Sequence, residues 1–114
     1  MKAPAKPKNE KARLQALADH RILDTPPEPA FDGLTTLAAK LLNVPIALVS
    51  IVDADRQWFK SRYGLDAPET PRDVSFCGHV VASGGAPLVV RDARDDARFA
   101  DTLANQPDFA FNQR

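Results

Sequence analysis

Three features of this 114-residue chain predict an α+β fold. Two stretches near the N-terminus repeat apolar residues at helical spacing. Two short runs parted by Asp53-Ala54-Asp55, the first rich in β-branched residues and the second alternating, then read as an antiparallel hairpin. Helices precede strands rather than alternating with them, so the helices are expected on one face of an antiparallel sheet.

The first helix is predicted from an Asn9 cap to His20, with Leu14, Leu17 and Ala18 on one stripe. A stronger start follows at Thr25-Pro26-Pro27-Glu28, where Thr25 caps, Pro26 takes the first helical position and Glu28 closes a capping box. From there Phe31, Leu34, Leu37, Ala38, Leu41 and Leu42 keep helical spacing to Asn43, so this stripe is expected to face the core. After Pro45, the run Ile46 to Val52 is too short for a helix and reads as a strand covered on both faces. Arg56 to Tyr63 alternates, placing Phe59, Ser61 and Tyr63 inward and Arg56, Trp58, Lys60 and Arg62 on a wet face. Gly64 ends that strand, and Leu65 to Val74, with Pro68 and Pro71, is expected to be an irregular loop.

Ser75 then caps a short helix from Phe76 to about Ser83, closed by Gly84-Gly85. Pro87 to Arg91 is predicted as a third strand, and one helical turn is expected around Asp95 to Phe99. Leu103 to Arg114 shows no period. The expected organisation is a disordered leader at 1–8, a domain at 9–101 and an irregular tail at 102–114. Three strands are few for this much apolar sequence, so the last strands are expected to be missing or degenerate.

Composition narrows function. Lys plus Arg and Asp plus Glu are 15 each, which removes the electrostatic argument for a nucleic-acid or anionic-membrane partner. The balance is uneven, +4 over residues 1–13 and −4 over the rest. No apolar run approaches the roughly 20 residues of a membrane helix, and no signal peptide is visible, so a cytoplasmic location is expected. The single Cys77 excludes an internal disulfide and a multi-cysteine zinc site.

Several blocks together resemble a bacterial GAF sensory domain: Asp24-Thr25-Pro26-Pro27-Glu28 with Phe31-Asp32, Ala47 to Asp53, Arg56 to Ser61, Glu69 to His79, and Leu88 to Phe99. The resemblance covers Lys11 to about Asp101, and Arg72 to His79 is its most specific piece. It implies a PAS-like antiparallel sheet, with terminal helices on one face and loops plus a short helix forming a pocket on the other. Such domains usually precede histidine kinase, diguanylate cyclase or nucleotide cyclase modules. The family continues with two further strands and a closing helix that Thr102 to Arg114 does not match, so a truncated or degenerate copy is expected.

The implied function is a regulatory, small-molecule-sensing or dimerising module without catalysis of its own. A homodimer through the N-terminal helices and a kinase or cyclase output are the implied partners, with no nucleic acid and no membrane. Candidate ligand contacts are Arg72, Ser75, Phe76, Cys77, His79, Asp92, Arg94 and Phe99. The amides of Phe76 to Gly78 can meet an anionic or carbonyl group, Asp92 can accept from a ligand donor beside Arg72 or Arg94, and Phe76 and Phe99 supply apolar walls.

Two other classes compete. An enzyme or covalent-ligand protein would use Cys77, as methionine sulfoxide reductases or bilin-binding domains of this fold do. One cysteine cannot form a resolving disulfide, and Gly78 separates Cys77 from His79. Burial is expected to outweigh the helix start and leave Cys77 neutral and unreactive. A purely structural dimerisation domain is the other alternative. Cys77 and His79 lack a third metal ligand, since His20 is the only other histidine, and no cofactor is expected.

Overall fold

In the computed structural model, which describes residues 3–84 and 87–92, the hairpin forms where the two runs around Asp53-Ala54-Asp55 predict it. Strands β1 (Ala47–Val52) and β2 (Arg56–Tyr63) pair antiparallel around the Asp53–Asp55 turn. The third strand, β3 (Glu69–Pro71), pairs antiparallel with Arg56 to Trp58, giving the order β1-β2-β3. Helices α1 (Glu10–His20), α2 (Pro29–Leu42) and α3 (Phe76–Ala82) complete the α+β fold, with a 3-10 turn at Arg72–Val74.

The third strand is thus not the predicted Pro87 to Arg91, which carries no strand and leaves Val89 83% exposed. It arises inside the expected loop because Thr70 lies opposite Gln57, whose side-chain amide donates to the Thr70 hydroxyl at 3.0 Å. The expected turn around Asp95, and the strands expected beyond Asp101, lie outside the described residues.

Helix α2 starts three residues later than its capping box suggested. A proline disfavours helical torsions in the residue before it, and Pro26, Pro27 and Pro29 impose this on Thr25, Pro26 and Glu28 in turn. Glu28 is extended in the cap position and Pro29 takes the first turn, while the Thr25 hydroxyl donates to the Ile22 carbonyl instead. The predicted end holds: Asn43 adopts the left-handed conformation (φ 51°), and the Val44 amide bonds the Ala39 carbonyl.

The expected inward stripe of α2 is its outer face. Thr35 and Ala39 are buried against β1 and β2, whereas Leu34, Leu37, Leu41 and Leu42 are 54–74% exposed. The cause is polar. The Thr35 and Ser61 hydroxyls pair at 2.9 Å, and Ser61 donates to Asp32 at 2.6 Å, which turns this side of the helix to the sheet.

Strand β2 departs from simple alternation. Val49 pairs Ser61 but Ser50 pairs Phe59, so Lys60 has no partner across the ladder, which is a β-bulge. Neighbours on a regular strand point to opposite faces. Here Lys60 and Ser61 both reach α2 and the segment before it. Trp58 and Lys60, expected on a wet face, are both buried. Strand β1 is only half-buried over most of its length, because it is an edge of the described sheet. Phe59 and Leu65 form the core with Ile46, Leu48 and Ala67. Gly64 (φ +79°) closes β2 against Pro45, whose carbonyl oxygen would lie 1.9 Å from an added Cβ.

Candidate functional site

The specific block Arg72 to His79 forms one unit. Ser75, only 1% exposed, accepts from the Gly78 amide at 3.0 Å and donates to the Arg72 carbonyl at 2.7 Å. This cap launches α3, as its sequence predicts, and engages one of the three amides expected to face a ligand. Helix α3 packs on β1. A Cβ on Gly78 would lie 2.6 Å from both the Pro4 ring and the Ser75 hydroxyl, so the N-terminal segment crosses the start of α3 at a place without side-chain room.

Arg72 lies 3% exposed on the turn before that cap. Its guanidinium forks onto the Glu10 carboxylate of α1, with Nη2 to Oε1 at 3.1 Å, and Nη1 also donates to the Asp53 and Ala54 carbonyls. Arg13 completes the cluster. It donates to the same carboxylate at 2.8 Å and to the Val52 carbonyl at the end of β1. The Arg72 hydrogen bond, above all, holds the Glu10 carboxyl down at about 2, with Arg13 adding to it against the opposing cost of burial.

Helix α1 buries no residue, so these charge-assisted bonds fasten it where an apolar stripe does not. Two buried polar atoms here lack partners, Arg72 Nε and Gln57 Oε1.

Of the other predicted contacts, Phe76, Cys77 and His79 lie half-buried on α3, and Asp92 is half-buried at the end of the described chain. Burial pushes the Cys77 thiol up, partly offset by a hydrogen bond with Ser50 of β1. Arg94 and Phe99 lie outside the described residues.

A cavity of about 300 Å³ opens elsewhere, between the Thr25–Pro27 segment, α2 and β2. None of the predicted contacts lines it. Beside it the Lys60 ammonium, whose side chain is fully enclosed, bonds Thr25 Oγ1 at 2.7 Å, the Pro26 carbonyl at 2.8 Å and the Glu28 carboxylate. The Phe31 ring lies 5.6 Å away.

Sequence reasoning missed Glu10, Gln57, Asp32 and Lys60 as a set. Asp32, Gln57 and Lys60 lie in blocks that carry the family resemblance, and Glu10 stands out as the single acid among five basic residues in positions 1–13. Among the described residues no cluster of His, Cys, Asp or Glu suits a metal, and no helix is long and apolar enough to cross a membrane.

Residues 26–112 match the family model of the GAF domain. The chain is 36% identical over 101 residues to a cyclic di-GMP phosphodiesterase of Pseudomonas aeruginosa, an alignment covering 89% of this chain and 17% of the length of that relative. The match spans the α2 start, the hairpin and the Arg72–His79 unit, and with it the chain belongs to the GAF domain family.

Proposed function

We propose that the chain is a regulatory, non-catalytic sensing module of a bacterial signal-transduction protein. A small molecule bound beneath the Arg72–His79 unit changes the order of that unit, and the change passes to the N-terminal helix. The observation that carries this reading is the buried Arg72, which ties the turn before α3 to Glu10 of α1 across 62 positions of sequence. A helix fastened by a few charged contacts, with no buried side chain, releases at little cost when one contact moves. The Cys77 chemistry that an enzyme of this fold would need is disfavoured by burial, which keeps the thiol protonated.

The relative, named for cyclic di-GMP hydrolysis, supports an output in cyclic-dinucleotide signalling, with a kinase or cyclase as the other outputs typical of the fold. The exposed leucines of α2 support a homodimer through the N-terminal helices. Candidate ligand contacts remain Arg72, Ser75, Phe76, Cys77, His79 and Asp92, with Arg94 and Phe99 from the following segment.

Hydrogen exchange on wild type and Arg72→Gln tests the relay. Protection should fall in α1 and α3 together. Loss confined to α1, with α3 unchanged, would refute coupling between them.

A further inference from the structure

We propose that the cavity between α2 and β2 is a second ligand site, on the opposite side of the hairpin from the cysteine helix, and that it takes a compact amine with an apolar body. This stands independently of the α3 reading. The cavity's 300 Å³ is at the small end of ligand sites and suits a single-ring compound.

Which charge it accepts follows from which lining groups are already engaged. Lys60 is not available to an anion: its three protons go to Thr25, Pro26 and Glu28, and the Glu28 carboxylate neutralises it, while Arg62, the other cation on the lining, is exposed to solvent and turns its guanidinium to the Asp66 carbonyl. Asp32 is available. Its Oδ1 accepts the Ser61 proton, while Oδ2 has no hydrogen bond and the residue no ion pair among the described residues. A carboxylate with one open oxygen attracts a protonated amine, which can donate to it.

The walls agree with that choice. Trp58 offers aromatic surface to a cation, and Pro68 adds apolar surface for its body. The bulge makes the site: without the extra residue, Ser61 and Lys60 would not both turn toward α2, and Asp32 would lose the hydroxyl that orients it.

Trp58 is the only tryptophan of the chain, so its fluorescence reports occupancy directly. Phenethylamine, phenethyl alcohol and phenylacetate have similar shapes and differ in charge. Titrated into the whole chain at neutral pH, phenethylamine should shift Trp58 emission saturably. Its dissociation constant should be at least about tenfold below those of the alcohol and the acid, a ratio worth about 1.4 kcal/mol.

Asp32→Asn keeps an oxygen for Ser61 and should abolish that preference while leaving the thermal melt close to wild type. Equal response to all three probes, no saturable response to the amine up to millimolar concentration, or an undiminished preference in folded Asp32→Asn would overturn the proposal. The three-probe comparison on wild type decides it even where the variant does not fold.

Discussion

Replacing Glu10 by glutamine keeps the shape of the side chain and removes its charge, leaving the Arg72 guanidinium buried with only neutral oxygens, one amide and the backbone carbonyls, to meet it. The carboxyl sits at about 2 against an ordinary 4.5. At about 1.4 kcal/mol per pH unit, that difference sets an upper bound of roughly 3.5 kcal/mol on what ionisation of Glu10 contributes to folding. Solvent reaches the pair, since the Glu10 side chain is 16% exposed, and screening lowers this to about 1–2 kcal/mol.

Leaving Arg72 without its counterion adds about 1 kcal/mol or more. The Glu10→Gln variant should therefore lose about 2–3 kcal/mol at neutral pH. Because folding holds the carboxyl lower than the unfolded chain does, the ionisation contribution is complete above about pH 4.5 and fades as the pH falls toward 2. Urea denaturation of both proteins from pH 7 to pH 2 measures this. The gap between them should be constant above pH 5 and narrow below it. A variant as stable as wild type at pH 7, or a gap that does not change with pH, would refute the electrostatic account of how α1 is held.

Gly64→Ala should lose about 3 kcal/mol in the same assay, because φ is +79° and the new Cβ meets the Pro45 carbonyl at 1.9 Å. A loss below about 1 kcal/mol would mean the turn reshapes freely. Burial raises the Cys77 thiol, so alkylation of the folded protein near pH 7 should be far slower than in urea, and Cys77→Ser should destabilise only mildly. Labelling at equal rates in both conditions would contradict this. The exposed Leu37 and Leu41 of α2, with the edge that β1 makes in the described sheet, should drive association at high micromolar concentration. Leu37→Lys with Leu41→Glu should lower the weight-average mass in sedimentation, and no change would place the contact elsewhere.

What was legible in the sequence was local. The hairpin follows from a β-branched run and an alternating run around a polar turn, Asn43 ends α2 through its own tolerance of left-handed torsions, and Ser75 caps α3 through an amide three residues away. The start of α2 was misplaced because capping preferences were weighed above the restriction that three prolines put on their predecessors. The remaining features depend on distant partners. The Arg72–Glu10 pair joins positions 62 apart, and the outward turn of the α2 leucines is decided by hydroxyl contacts with Ser61, 26 positions beyond Thr35. At the candidate site the block of residues and the first helix were each legible, and the bond that fastens one to the other was not.

The unpaired position at Lys60 makes the length of β2 as consequential as its composition. Residues before it and after it keep opposite phases, so the strand behaves as two short rulers joined one notch out of step. Deleting a single residue there would bring the rulers into one phase. The chain could then keep either the lysine anchored at Thr25 or the serine anchored at Asp32, but not both. Point substitutions at Lys60 or Ser61 would remove one anchor each, whereas that deletion would move every side chain on one side of it to the other face of the sheet. Tolerance of this strand to change should therefore be higher for swaps than for indels, the reverse of what its surface loops would show.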